Sequence, residues 1–226
     1  MNNQKIWDFW AQHYEGLWVQ KNSLAPTREK ILLYLEGLLE KGKTYRIVDV
    51  GCGTGELLRE MAKTFSRDDY DLQLSGIDFS QNMIKRAKEM GGSIEYEQLN
   101  VKELTSLEGQ FDIIICSHSF PYYEDQRAVL ELFKENLKTN GHLLLAQASQ
   151  NNLYDQVVMS FVKLTVGRAH YPSVEAIVNM AQGLFQVLDM MKIKKGFFMP
   201  SIIFFVLKVE SEERQDKGEN HENFID

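Results

Sequence analysis

The sequence predicts a doubly wound α/β fold, a mostly parallel sheet covered by helices on both faces. Three observations predict it. From residue 45 onward, short apolar or β-branched runs alternate with amphipathic runs long enough for helices. The first of these strands runs straight into Gly51-Cys52-Gly53-Thr54-Gly55, a strand-to-helix turn with glycine at alternate positions. Such a turn lets a ligand approach the backbone, and the helix start offers it free N–H groups. Near the C-terminus the alternation breaks. Two strand-like runs, 185–193 and 201–209, are separated by a gap around Gly196 and Pro200 that is too short for a crossover. They must pair as an antiparallel hairpin.

Taken in order, residues 4–19 space Ile6, Trp7, Trp10, Tyr14, Leu17 and Trp18 as a helix would. Two readings are open: the aromatic face packs on the core, or Tyr14 or Trp18 also closes over a ligand. A loop over 22–26 leads to a helix opened by Pro26-Thr27, with Ile31, Leu32, Leu35, Leu38 and Leu39 on one face and Gly42 at its end. Proline in the first turn suits that start. A strand follows over 45–50, then a helix over 55–65 with Leu57, Leu58 and Met61 inward, and a polar turn over 68–71. The second strand, 72–77, ends at Asp78-Phe79-Ser80. Ser80 can cap a helix over 81–90 that stops at Gly91-Gly92. A third strand covers 93–99.

The continuous apolar run 111–116 marks a strand buried on both faces. A helix over 124–138 is closed by Asn140-Gly141, and the fifth strand covers 142–148. Residues 151–167 read as an extra helix carrying Leu153, Tyr154, Val157, Phe161 and Leu164, too apolar all round for a free surface helix. It is either a lid or a dimer surface. One more helix over 173–183 precedes the hairpin. From 210 the chain is charged without apolar period and is expected to be disordered. The expected organisation is one domain over 1–209, with 1–41 and 151–183 forming a cover, and a tail over 210–226.

Composition narrows the function. The 226 residues suit one domain with a full core. No apolar run approaches the ~20 residues of a membrane span. Met1 to Lys5 are polar and lack the features of a signal peptide. Two cysteines, Cys52 and Cys116, make no disulfide framework, so a reduced, cytoplasmic protein is expected. No His–Cys cluster has ligand spacing, so no metal is expected. The formal net charge of −7 argues against a broad nucleic-acid surface. A small-molecule partner is expected, with the chain a monomer or a homodimer and no membrane association.

Ligands of open parallel sheets sit beyond the C-terminal ends of the strands, where the chain direction reverses. Those ends present Asp49 to Gly55, Asp78-Phe79, Asn100-Val101 and Cys116 to Phe120. Asp78 lies about twenty residues beyond the last glycine, a separation that suits a carboxylate receiving ribose hydroxyls. Phe79 beside it can pack on an adenine face. The dinucleotide fingerprint G-x-G-x-x-G fails here, because the third glycine position is Glu56. Asp49 also sits badly beside a pyrophosphate, but it suits a ligand with an ammonium group, held directly or through the loop backbone. Together they point to an amino-acid-bearing nucleoside.

These residues closely resemble the class I S-adenosylmethionine-dependent methyltransferases, over roughly residues 45–209. Asp49 to Gly55 match the family's first motif, Asp78 stands at its ribose-binding acid, and Phe111 to Ser117 resemble its fourth-strand motif. The resemblance implies a Rossmann-like seven-stranded sheet in the order 3-2-1-4-5-7-6, with strand 7 antiparallel. It implies S-adenosyl-L-methionine as cofactor and S-adenosyl-L-homocysteine as product. Trp7 to Tyr14 also resemble the N-terminal helix of small-molecule members, whose tyrosine faces the methionine end of the cofactor. Asn100 replaces the aspartate that many members set against the adenine amino group, and its amide oxygen can accept the same hydrogen bond. The cofactor-binding set so implied is Tyr14, Asp49, Gly51, Cys52, Gly53, Gly55, Asp78, Phe79, Met83, Asn100, Val101 and Ser117.

The reaction implied is an in-line displacement on a sulfonium, which needs alignment more than acid–base help. His118, in the segment 117–123 after the fourth strand, is the candidate base, or it only lines the pocket. Tyr122 and Tyr123 either orient substrate or pack. His170-Tyr171-Pro172 is a second place from which a polar group can reach the pocket. The acceptor expected is a small apolar or aromatic molecule. The alternative is a protein of the same fold that binds the cofactor without methyl transfer.

Overall fold

The computed structural model describes residues 24–65, 68–149, 169–193 and 201–210. The expected helices over 4–19 and 151–167, the turn of the terminal hairpin and the tail from 211 lie outside the described residues, and so does Tyr14.

Helix α1 spans Ala25–Leu38 with Pro26 in its first turn and Ile31 and Leu35 fully buried. It stops before Gly42, the expected terminator, which instead uses a positive φ of 78° to turn into the first strand. Strand β1 is Thr44–Val50, α2 is Glu56–Thr64, β2 is Asp71–Asp78 and α3 is Gln81–Glu89. The Ser80 hydroxyl caps α3, accepting the Met83 N–H at 3.2 Å. Strand β3, Glu95–Gln98, is shorter than its 93–99 signal. Beyond it, Asn100 already caps a 3-10 turn over Val101–Ser106.

Strand β4 is Phe111–Ser117, α4 is Gln126–Asn136 and β5 is Leu137–Ala148. Asn140-Gly141, expected to close α4, lies inside β5 instead. Asn140 there takes a φ of 66°, and the pairing with β4 shifts nearby. The two residues permit a left-handed step in either setting, so the signal does not tell a helix end from a bulged strand. Helix α5 is Val174–Ala181, and the chain ends in β6, Phe185–Ile193, and β7, Ile202–Val209.

Among the described residues the strands form one seven-stranded sheet in the order β3-β2-β1-β4-β5-β7-β6, with β7 antiparallel to both neighbours. The helices divide between its faces. Against α1, α2 and α3 lie Ile47, Ile113, Ile115, Leu144, Phe204 and Val206. Against α4, α5 and the 3-10 turn lie Val48, Val50, Ile114, Leu145, Phe205 and Leu207. The alternation Ile113, Ile114, Ile115 shows why β4 reads as an unbroken apolar run: both its faces are core. Asp112, in the same run, fastens three strand starts. Its Oδ2 accepts the Arg46 N–H of β1 and the Lys138 ammonium of β5, both at 2.8 Å.

This order sends the chain from β1 to β2 on one side and to β4 on the other, so the C-terminal ends of β1 and β4 flank the crevice between the two halves. Arg28 of α1 lies over that end, pairing with Glu56 at 3.0 Å and Glu60 at 3.1 Å on α2. Among the described residues no helix is long and apolar enough to cross a membrane.

Phe204 is fully buried and meets Tyr34 of α1 edge-on with ring centroids 6.0 Å apart. Phe204→Ala is expected to cost ~3–5 kcal/mol in urea unfolding, because a rigid two-sided sheet cannot collapse onto the void.

Candidate functional site

The turn after β1 is held from three sides. The N–H groups of Gly51 and Cys52 both donate to Ile77 O, at 2.8 and 3.0 Å, which lays the turn against the end of β2. The Gly53 N–H donates to Asp78 Oδ2 at 3.0 Å, and the Ser80 N–H donates to Asp78 Oδ1 at 2.9 Å. Asp78 is thus fixed at the end of β2 with its carboxylate across the turn.

The first and third glycines are required by different neighbours. Gly51 has φ 79°, and a Cβ there would run into Ser119. The Ser119 hydroxyl donates to Val50 O at 2.7 Å, accepts from Tyr123 OH at 3.2 Å and lies 3.1 Å from Cys116 Sγ. Gly55 has φ 75° as the residue before α2, and a Cβ there would enter the ring of Tyr96, whose hydroxyl donates to Gly55 O at 3.2 Å. Close approach by the segment after β4 on one side and by β3 on the other therefore demands glycine at both places. Ser119 and Tyr96 carry no motif signal, so spacing alone does not find them.

Asp49 is 3% exposed, and among the described residues its Oδ1 has no hydrogen-bond partner. Burial first, and the neighbouring Asp78 second, push its carboxyl up to about 7. A buried carboxyl in this state, beside an open backbone turn, is poised to accept a cation. Burial also pushes the Cys52 thiol well up, with Asp78 and Asp49 adding to it, and pushes Cys116 up to about 12. Both thiols are free and stay protonated at neutral pH.

His118 takes a φ of 63°, and its N–H donates to Ala146 O at 2.7 Å. Its Nε2 lies 3.1 Å from the Thr27 hydroxyl of α1. Burial, then the Arg28 charge, lower its pKa to about 4. The ring is therefore neutral at pH 7 and only weakly basic. It ties the end of β4 to α1.

The other expected cofactor residues occupy the same rim in different ways. Met83 is buried in the first turn of α3, and Val101 is buried in the core cluster with Ile77 and Cys116. Phe79 and Ser117 are half-buried, Ser117 being paired with Ala146. Asn100 is exposed, and its side chain is already employed. Its Oδ1 accepts the Lys102 N–H at 3.0 Å, while the Glu103 carboxylate accepts the Asn100 N–H at 2.9 Å. This is a capping box on the 3-10 turn.

Two segments far apart in sequence meet beside β4. The His170 N–H donates to Pro121 O at 2.7 Å, and Tyr122 OH lies 3.3 Å from Tyr171 OH. Gln126 stitches them, its Nε2 donating to Phe120 O at 3.1 Å and to His170 O at 2.9 Å. The segment 117–123 and the segment 170–172 are thus one wall.

The model of the methyltransferase domain family matches residues 41–199 of the chain. The chain belongs to this family. Its methyltransferase domain is 36% identical over 114 residues to the Bacillus subtilis protein YqeM, itself named as a methyltransferase, covering 47% of this chain and 42% of that protein. It is 29% identical over 111 residues to the ubiquinone biosynthesis O-methyltransferase of Ralstonia nicotianae, covering 47% of this chain and 44% of that one. The chain spans less than half the length of these two relatives. The crystal structure of the N-methyltransferase NodS from Bradyrhizobium japonicum, in complex with S-adenosyl-L-homocysteine, superposes with a TM-score of 0.70 at 15% identity, over 93% of this chain and 100% of that one. The methyltransferase domain thus shares that fold, including the strand order and the reversed β7 expected from sequence.

The Asp49 shift carries a pH signature. An unfolded aspartate ionises near pH 4, whereas the folded one holds its proton to about 7. The stability it contributes is full below about pH 4 and is lost as pH rises through 7. His118 acts in the opposite sense: its folded pKa is depressed, so its contribution is present above ~6.5 and lost as pH falls towards about 4. Asp49→Asn should therefore gain stability relative to wild type as pH rises from 4 to 7, by up to ~4 kcal/mol. Urea unfolding of both proteins across that range, without ligand, checks this.

Proposed function

We propose that the chain transfers the methyl group of S-adenosyl-L-methionine to a small, apolar or aromatic acceptor. The observation that carries this reading is the buried Asp49 carboxyl beside the glycine turn, its Oδ1 without a hydrogen-bond partner among the described residues, with Asp78 fixed across the turn. A ligand bearing both an ammonium and a ribose satisfies the two acids at once.

The residues fit that cofactor. Asp49 and the turn Gly51-Cys52-Gly53 with Gly55 would hold the amino-acid end, Asp78 the ribose, and Phe79, Met83, Val101 and Asn100 the adenine. Ser117 and Tyr14 would flank the methionine end. When bound, the cofactor supplies a methyl group on a sulfonium already activated for displacement. The chain's own task is to align an acceptor and exclude water, and positioning of that kind supplies ~7–11 kcal/mol. The wall built by 117–123 and 170–172 stands at the end of β4, where it can present the acceptor. The cover expected from 1–41 and 151–183 would complete the enclosure.

His118 is the candidate base for acceptors that must lose a proton. Its low basicity favours acceptors that need little help, and it sustains a second reading in which the chain binds the cofactor without turnover. The formal net charge of −7 favours a small-molecule partner over nucleic acid. The ubiquinone and malonyl-[acyl-carrier protein] O-methyltransferases among the relatives support the same class. A monomer or homodimer in the cytoplasm, without membrane association, is consistent with this role.

Calorimetry should show S-adenosyl-L-homocysteine binding to the wild type and at least tenfold weaker binding to Asp78→Ala. A wild type that does not bind sinks the proposal. Once an acceptor is in hand, His118→Gln should keep kcat within about tenfold of wild type. A loss of 10²-fold or more would instead mark His118 as the working base.

A further inference from the structure

The end of β5 carries polar side chains that the cofactor site does not use. Gln147 is fully buried, and among the described residues neither its amide oxygen nor its amide nitrogen has a hydrogen-bond partner. Ser149 is also fully buried, and among the same residues its hydroxyl has no partner. By strand alternation both share the face of β5 that carries Leu143 and Leu145, the face covered by α4 and α5. The backbone around them is settled. Gln147 lies opposite Ile203 of β7, and the Ser149 N–H donates to Ser201 O at 3.1 Å. The deficit belongs to the side chains alone.

A buried primary amide with all its hydrogen-bonding capacity unmet is rare in native proteins, and an apolar residue of the same shape would hold the fold better. Its position gives it a use. Strand β5 is the neighbour of β4 on the side away from the glycine turn, and Ala146, next to Gln147, pairs with Ser117 and accepts the His118 N–H. The unmet groups therefore stand at the sheet end where the acceptor belongs, one strand further from the cofactor turn than β4.

We propose that Gln147, with Ser149 beside it, forms the polar subsite of the methyl acceptor and selects an uncharged head that pairs a donor with an acceptor, such as a carboxamide or a hydroxyl next to a carbonyl. This rests on the methyltransferase reading and adds the polar feature of an otherwise apolar substrate. The chemistry is set by the atoms present. The amide donates through nitrogen and accepts through oxygen, and the serine hydroxyl does either. Among the described residues no cationic side chain is hydrogen-bonded to the amide, which favours an uncharged head over a carboxylate.

The test compares three probes on one aromatic body: benzamide, benzoate at pH 8 and ethylbenzene. Ligand-observed NMR titrations are run on the full chain with and without S-adenosyl-L-homocysteine. Benzamide is expected to bind at least tenfold more tightly than benzoate and ethylbenzene. Gln147→Met should reduce that preference to about twofold or less while its melting temperature equals or exceeds that of wild type. Ser149→Ala, a smaller change, should reduce it by threefold or more. Equal binding of the three probes, or a preference that survives in both variants, overturns the subsite and leaves Gln147 a site for structural water only. Binding of S-adenosyl-L-homocysteine is read on the same samples. Its failure in the wild type sinks the methyltransferase reading, whereas a benzamide preference lost in the variants supports the subsite either way.

Discussion

The hydrogen bond from the Gly53 N–H to the Asp78 carboxylate joins two strand ends that the chain reaches by separate routes. Without it the turn after β1 has no fixed relation to β2 beyond its two bonds to Ile77 O. With it, the turn, the start of α2 and the cap of α3 share one carboxylate, since Asp78 also accepts from Ser80. A side chain read as a ligand acceptor is therefore also a structural clamp. The two roles are compatible because each carboxylate oxygen can accept more than one hydrogen bond. The glycines at 51 and 55 follow from the same closeness: the segment after β4 presses Ser119 on the first and β3 presses Tyr96 on the second.

Around this clamp the fold gathers ionisable groups and withholds their charge. Asp49 keeps its proton to about 7, His118 loses its own above about 4, and both thiols remain neutral. Burial is the leading cause in every case. The Asp49 and His118 contributions oppose one another over nearly the same pH interval.

Much of the architecture was legible because burial leaves a period. Strand β4 announced itself by an apolar run, and the terminal reversal followed from a gap too short to cross the sheet. Legibility failed where one residue type serves two geometries. Asn140-Gly141 permits a left-handed step in a bulged strand as readily as at a helix end. It also failed for contacts between distant segments. Nothing in the spacing of Ser119, Tyr96 or Gln126 says which backbone each will touch, because that depends on which strand ends become neighbours. Gln147 is the extreme case. In sequence it is one polar residue in an apolar strand, and only its full burial without partners gives it meaning.

The sheet order has a consequence for how the chain is made. Strand β7 is the last in sequence, yet it lies between β5 and β6, with Ile202 to Leu207 wholly buried. Until those residues leave the ribosome, β6 has no neighbour and β5 presents an open apolar edge. The nascent chain therefore carries an unfinished sheet, and its completion waits until β7 has been made. Any interruption before β7 leaves β1 to β5 beside an edge that invites pairing with a foreign strand.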